Sequence, residues 1–271
     1  MGVVQDFAEA KKWYLTAAEQ GHSNAQYNLG LMYYKGNGVL QDYAEAKKWY
    51  LLAAEQGNDH AQFYLGVMHK NGIGVPQDHS EAVKWYLLAA EQGNSLAQNN
   101  LGLMYESGAG VQQDDTEAYK WFRLAAAQGN SYAQHKVGVA YYKGWGVQQD
   151  NAKAYKWYRL AAEQGHSGAQ YNLGLMYYFG TGVQQDYSAT IKWFRLAAEQ
   201  GHSSAQYNLG VMYSEGQGVI QSYTDAHMWY NLAASQGDSK AVNSRDRLSK
   251  MMTPTQIHEA QKRAREWFES H

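Results

Sequence analysis

Apolar and polar positions along this chain recur in a block of 36 residues, and inside each block the apolar ones follow helical spacing. In the block from Ser23 to Asn58, Ala25, Leu29, Met32 and Tyr33 share one face of a first helix, helix A. Ala46, Trp49, Tyr50, Ala53 and Ala54 form the i, i+3, i+4, i+7, i+8 stripe of a second, helix B. Lys47, Lys48, Lys84 and Lys120 lie off that stripe, on the solvated side. Trp13, Trp49, Trp85, Trp121, Trp157, Trp193 and Trp229 keep the step without a break. A period that strict marks stacked repeats, in which no unit buries its apolar face alone. The pattern predicts an all-α solenoid of about seven 36-residue helix pairs over residues 1–252, read as one quasi-linear domain that starts partway through a repeat.

Helix boundaries follow from capping chemistry. Ser23 with Gln26 three residues on has the capping-box spacing, and Asp59/Gln62, Ser95/Gln98, Ser131/Gln134, Ser167/Gln170 and Ser203/Gln206 repeat it. Helix A then ends at Gly36, and a loop with a second glycine, Gly38, leads to helix B. Asp42 with Glu45 sets the start of helix B, as do Asp6/Glu9, Asp78/Glu81 and Asp114/Glu117; Gly57 closes it. Gly30 and its equivalents sit inside helix A, each costing roughly 1 kcal/mol against alanine. That cost predicts close approach of helix B, with the small Ala53 and Ala54 at the contact.

Beyond the last repeat, Thr253-Pro254-Thr255-Gln256 is another capping box, with proline at the first helical position. Ile257, Ala260, Ala264, Trp267 and Phe268 share one side of the helix that follows, so residues 253–271 are expected to form a C-terminal capping helix of the same domain. At the other end the first element is a helix B with no helix A before it.

Composition narrows the function classes. A net charge of −2 does not suit the basic stripe of a nucleic-acid binder. There is no cysteine for a disulfide or thiolate metal site, and no apolar run approaches the ~20 residues of a membrane helix. His22, His166 and His202 share one loop slot on separate repeats, and the other histidines scatter, so no metal site is expected. The Gly-x-Gly loops follow no strand and read as turns. The carboxylate pairs are used as caps, and the row Arg123, Arg159, Arg195 reads as a solvated face. No cofactor and no catalytic residue is expected.

The run Ala25-Gln26-Tyr27-Asn28-Leu29-Gly30-Leu31-Met32-Tyr33-Tyr34-Lys35-Gly36-Asn37-Gly38-Val39, then Asp42, Ala46, Trp49, Ala53-Ala54 and Gly57, resembles the Sel-1-like repeat, a longer relative of the tetratricopeptide hairpin. The resemblance extends from about Asp6 to about Met252. It implies a right-handed α/α superhelix and a non-catalytic adaptor that holds a protein or peptide in a concave groove lined by helix A. It also implies a bacterial protein, periplasmic or secreted if a leader was removed and cytoplasmic otherwise. The family branch with a cysteine pair in every repeat, and its β-lactam-binding activity, is unsupported in a chain without cysteine.

On the face of helix A turned from its core, the expected partner-binding residues are Tyr27, Asn28, Tyr34, Phe63, Tyr64, Lys70, Asn99, Asn100, Glu106, His135, Lys136, Tyr142, Tyr171, Asn172, Tyr178, Phe179, Tyr207 and Asn208. Core slots scarcely change between repeats, whereas the slots of residues 24, 28, 34 and 35 vary freely, as a binding surface over a fixed frame would. For any single tyrosine the alternative is packing against the next repeat. The asparagines are suited to hold the backbone of an extended peptide. Trp145, between two loop glycines, is a candidate anchor, with folding onto a neighbouring repeat as its alternative. Two other readings stand beside the scaffold: a hydrolase or β-lactam or cell-wall binder, and a structural scaffold assembling end to end through the N-terminal helix B.

Overall fold

The computed structural model describes residues 7–270, apart from the side chain of Ala8. All regular structure among them is helical. The repeats supply α1 (Phe7–Glu19), α2 (Ser23–Lys35), α3 (Tyr43–Glu55), α4 (Asp59–Asn71), α5 (His79–Glu91), α6 (Ser95–Ser107), α7 (Asp115–Ala127), α8 (Ser131–Lys143), α9 (Asn151–Glu163), α10 (Ser167–Phe179), α11 (Tyr187–Glu199), α12 (Ser203–Glu215), α13 (Tyr223–Ser235) and α14 (Ser239–Ser249); α15 (Pro254–Ser270) follows. Even-numbered helices up to α14 are A helices and odd-numbered ones up to α13 are B helices, the helix-pair solenoid order that the period predicts. The residues fall into two compact units, one ending at Ala133 and the other beginning at Gln134. In the first, α2 packs on α3, α4 on α5 and α6 on α7, and each pair packs on the next. In the second, α9 to α14 pack in the same succession, and α15 lies against α13.

Each pair closes around an aromatic ring. Tyr50 is fully buried between Ala46, Ala53, Ala61, Leu65 and Met68. A methyl group built on Gly30 would lie 2.7 Å from Cδ1 of Tyr50, and one on Gly174 2.5 Å from Cδ1 of Phe194. The interior glycine therefore makes room for a helix B ring; Ala53 and Ala54 do not carry that contact as the sequence suggested. Burying such a ring contributes about 1.5–3 kcal/mol, which exceeds the roughly 1 kcal/mol the glycine costs. The periodic tryptophans are less uniform: Trp49 and Trp229 are buried, whereas Trp13 is 70% exposed.

Helix B starts as expected. The Asp42 side chain accepts the backbone N–H groups of Ala44 and Glu45. Its own N–H donates to the Tyr33 carbonyl, so Glu45 does not complete a box and pairs instead with Lys48. Helix A starts one residue earlier than the serine pattern indicated. Asn58, Asn94 and Asn130 cap it through their side-chain oxygens, and His166 and His202 through Nδ1, each accepting the N–H three residues on.

Gln26 and its equivalents are buried struts rather than caps. Nε2 of Gln26 donates to the Ala18 carbonyl at the end of the preceding helix B, 3.1 Å away, and its Oε1 accepts from Gln56 at 2.7 Å. Gln62, Gln98, Gln170 and Gln206 make the same pair of bonds. Each strut adds a second donor to a helix-end carbonyl that already accepts the N–H of the closing glycine, and ties one repeat to the next.

At the C-terminal end the box at Thr253 is complete: its N–H donates to Gln256 Oε1, and the Gln256 N–H donates to Thr253 Oγ1. Ala264 and Trp267 of α15 cover Trp229 and Leu232, and Ile257 packs beside Leu248 and Met252. Phe268, expected on the packing side, is half exposed and lies edge-on to Trp267. Arg263 bonds Asp225 of α13 across the seam and Glu259 within α15.

Candidate functional site

The face of helix A turned from its partner helix B carries three kinds of slot. The slot of Tyr27 is an inter-repeat joint. Tyr27 stacks on His60 of the next helix A at 5.5 Å between centroids, and Tyr171 stacks on His202 at 4.6 Å. In the same slot Phe63 packs against Tyr64 and Tyr86, and Tyr207 against Tyr230. His135 stacks on His166 at 4.6 Å, and its Nε2 lies 3.0 Å from Nδ2 of Asn172. Burial, reinforced by His166, Lys136 and His202, pushes His135 down from its ordinary value near 6.5 to about 3. His166 and His202 are lowered as well, chiefly by burial. The imidazoles are thus neutral, as the Nδ1 caps require, since a protonated Nδ1 accepts no hydrogen bond.

The slots of Asn28 and Tyr34 face each other across neighbouring repeats, with a helix B ring as the floor between them. In the first unit Tyr64 fills the space: its ring stacks on Tyr50 at 5.3 Å and 18° and meets Tyr34 edge-on at 5.4 Å. Tyr43 and Tyr27 complete that cluster. Of the other predicted residues in this unit, Asn28, Lys70, Asn99, Asn100 and Glu106 are half-buried on the same face, and the backbone carbonyls of Lys70 and Glu106 accept from Gln77 and Gln113.

In the second unit the corresponding space is open. Where the first unit has Tyr34, Tyr50 and Tyr64, the second has Tyr142, Tyr158 and Asn172. A pocket of about 290 Å³ lies there, lined also by Val139, Lys143, Leu175, Met176, Phe179 and Thr181. One repeat on, Tyr178, Phe194 and Asn208 border a smaller pocket of about 110 Å³ that shares Leu175 and Phe179. A further repeat on, Ser214, Tyr230 and Ser244 border one of about 190 Å³ with Glu215 and Arg247 at its edge. Phe179, 66% exposed, stands between the first two.

The predicted asparagines are already engaged in part. Nδ2 of Asn172 meets His135, and Nδ2 of Asn208 donates to the Tyr171 hydroxyl at 3.3 Å. The Tyr178 hydroxyl donates to Gln217. Lys136 is half-buried beside His135 in sequence. Lys143 extends over the Tyr142 ring, 5.5 Å from its centroid. Leu175, Lys143, Met176, Tyr158 and Thr181 were not singled out from the sequence. For Leu175 and Lys143 the signal was present, since they occupy the slots of Leu31 and Lys35 on the face already chosen. Trp145 is half exposed in its loop, where its backbone N–H donates to the Ala140 carbonyl. Among the described residues no three His, Cys, Asp or Glu side chains converge on one point, and no helix is long and apolar enough to cross a membrane.

The family model described as Sel1 repeat matches residues 1–22, 23–58, 59–94, 95–130, 131–166, 167–202 and 203–238. Among solved structures, a Sel1 repeat protein from Oxalobacter formigenes is 34% identical, with 84% of this chain and 91% of that one covered and a TM-score of 0.76. A protective antigen present in uropathogenic Escherichia coli strains, described as displaying an SLR fold, is 30% identical, with 98% of this chain and 80% of that one covered and a TM-score of 0.54. No curated protein matches the chain.

Proposed function

This chain belongs to the Sel1 repeat family, and on that premise we propose that it is a non-catalytic scaffold holding a peptide or protein partner against the helix A face, chiefly in its second unit. Sel1 repeats generally mediate protein interactions, so the coarse function follows from membership. The observation that supports the finer reading is the row of three open slots at successive repeats of the second unit, against a counterpart in the first unit plugged by Tyr64. A partner lying along α8, α10, α12 and α14 would meet one such opening per repeat, with the core beneath unchanged. The slots are lined by tyrosine, leucine, valine and asparagine, a mixture of apolar contact and hydrogen-bonding groups that suits a polypeptide.

Site-specific photocrosslinking tests the reading. Benzoylphenylalanine at Phe179 replaces an exposed aromatic on the proposed face, and the same group at Leu160 reports on the exposed side of α9. Expected is a covalent adduct with a discrete partner from native extract at Phe179 and not at Leu160. Adducts of equal yield at both, or at Leu160 alone, would remove the helix A face from the proposal.

A further inference from the structure

The plugged slot of the first unit shows what the open one is shaped to receive. The Tyr64 ring lies flat on Tyr50 and edge-on to Tyr34. In the second unit the floor and wall persist as Tyr158 and Tyr142, while the short Asn172 side chain leaves the ring's place open. We propose that the slot between Tyr142, Tyr158 and Asn172 seats a tyrosine or phenylalanine side chain of a peptide that carries an acidic residue beside it. This rests on the helix A reading above and names its ligand.

Size and charge select this slot over its neighbours, of which the one at Ser244, about 190 Å³, has Glu215 at its edge, where an acidic peptide would meet a like charge. An apolar cavity of about 150 Å³ takes a benzene ring. The slot at Asn172 offers about 290 Å³, and the next, at Asn208, about 110 Å³, too little for a ring without movement. Geometry contributes the rest: a guest ring on Tyr158 would make the offset-stacked and edge-on contacts that Tyr64 makes internally, worth about 0.5–1.5 kcal/mol per pair beyond buried area. Charge sets the neighbouring residue. Neither α8 nor α10 contains an aspartate or glutamate, and Lys143 stands at the slot's edge. An acidic side chain next to the aromatic would meet that ammonium without facing any carboxylate on α8 or α10.

The test begins with random dodecamers displayed on phage and selected on the intact protein, followed by a fluorescein-labelled copy of the most enriched sequence. Expected is enrichment of Tyr or Phe beside Asp or Glu. Binding should weaken at least about tenfold when that aromatic is changed to alanine, and likewise on the Asn172→Tyr variant, which installs the internal plug. Helical circular dichroism and the melting temperature check that this variant folds. A second variant, Lys143→Glu, changes an exposed side chain and should weaken the acidic peptide while sparing a copy with lysine in place of the acid. Peptides that crosslink through Phe179 but lack an aromatic, or ignore Asn172→Tyr, would overturn the ring slot and leave the helix A reading standing. Peptides that crosslink only through Leu160, or no enrichment at all, would overturn both.

Discussion

Gln170 illustrates how a residue that resembles a cap serves a different purpose. Its amide bridges the Ala162 carbonyl and the Gln200 side chain from a fully packed position. Gln170→Leu keeps the volume and loses both bonds, each worth about 0.5–1.5 kcal/mol, while the Ala162 carbonyl keeps the Gly165 N–H and the Gln200 amide keeps the Leu196 carbonyl. Urea denaturation of the variant reads this directly, and an unchanged midpoint would show that the strut does not hold the repeats together. At His135 the sign of the pH dependence follows from its lowered value. Between about 6.5 and about 3 the unfolded chain binds a proton that the folded one refuses, so stability is full above that window and falls as pH drops through it. A loss on the order of 3 kcal/mol by pH 4 is expected, with His166 and His202 adding in the same direction. Asn99 occupies the slot one repeat earlier, so His135→Asn should flatten thermal melts recorded from pH 7 to pH 4. A wild-type profile already flat over that range would contradict the assignment.

At the scale of the element, helix type and order were legible because the stripes of α3 and its counterparts carry the full helical period, and because Asp42-type caps bond as their spacing indicates. The start of helix A was misread by one residue. Serine followed by glutamine satisfies the box spacing whether the serine is the cap or the first helical residue. The preceding slot, filled by Asn58, Asn94, Asn130 and Asp238, held the information, and the histidines in it hid the pattern. The last element has its own consequence. Ending the chain after Met252 would strip Ala264 and Trp267 from Trp229 and Leu232, a loss of about 3 kcal/mol of apolar burial. The truncated protein should melt several degrees lower and associate with rising concentration in size-exclusion chromatography; identical melting would mean that α15 is dispensable as a lid.

At the scale of the whole chain, the repeat made the frame readable and left the site half readable. One face of helix A was separable from the other by angle alone, which placed Tyr142, Asn172 and Phe179 together on the face that carries the pocket. Which of its aromatics lock into the next repeat, as Tyr27 does, and which border a gap depends on the side chain opposite, and a periodic pattern does not pair Asn172 with Tyr142 across repeats. The glutamine struts carry the periodic logic further. Their bonds always join the same slots, 8 residues back into the preceding repeat and 30 residues on within their own. Within either unit, excising or duplicating a whole period would bring matching partners together at the splice, so the chain is built to change length by recombination while each junction stays chemically complete.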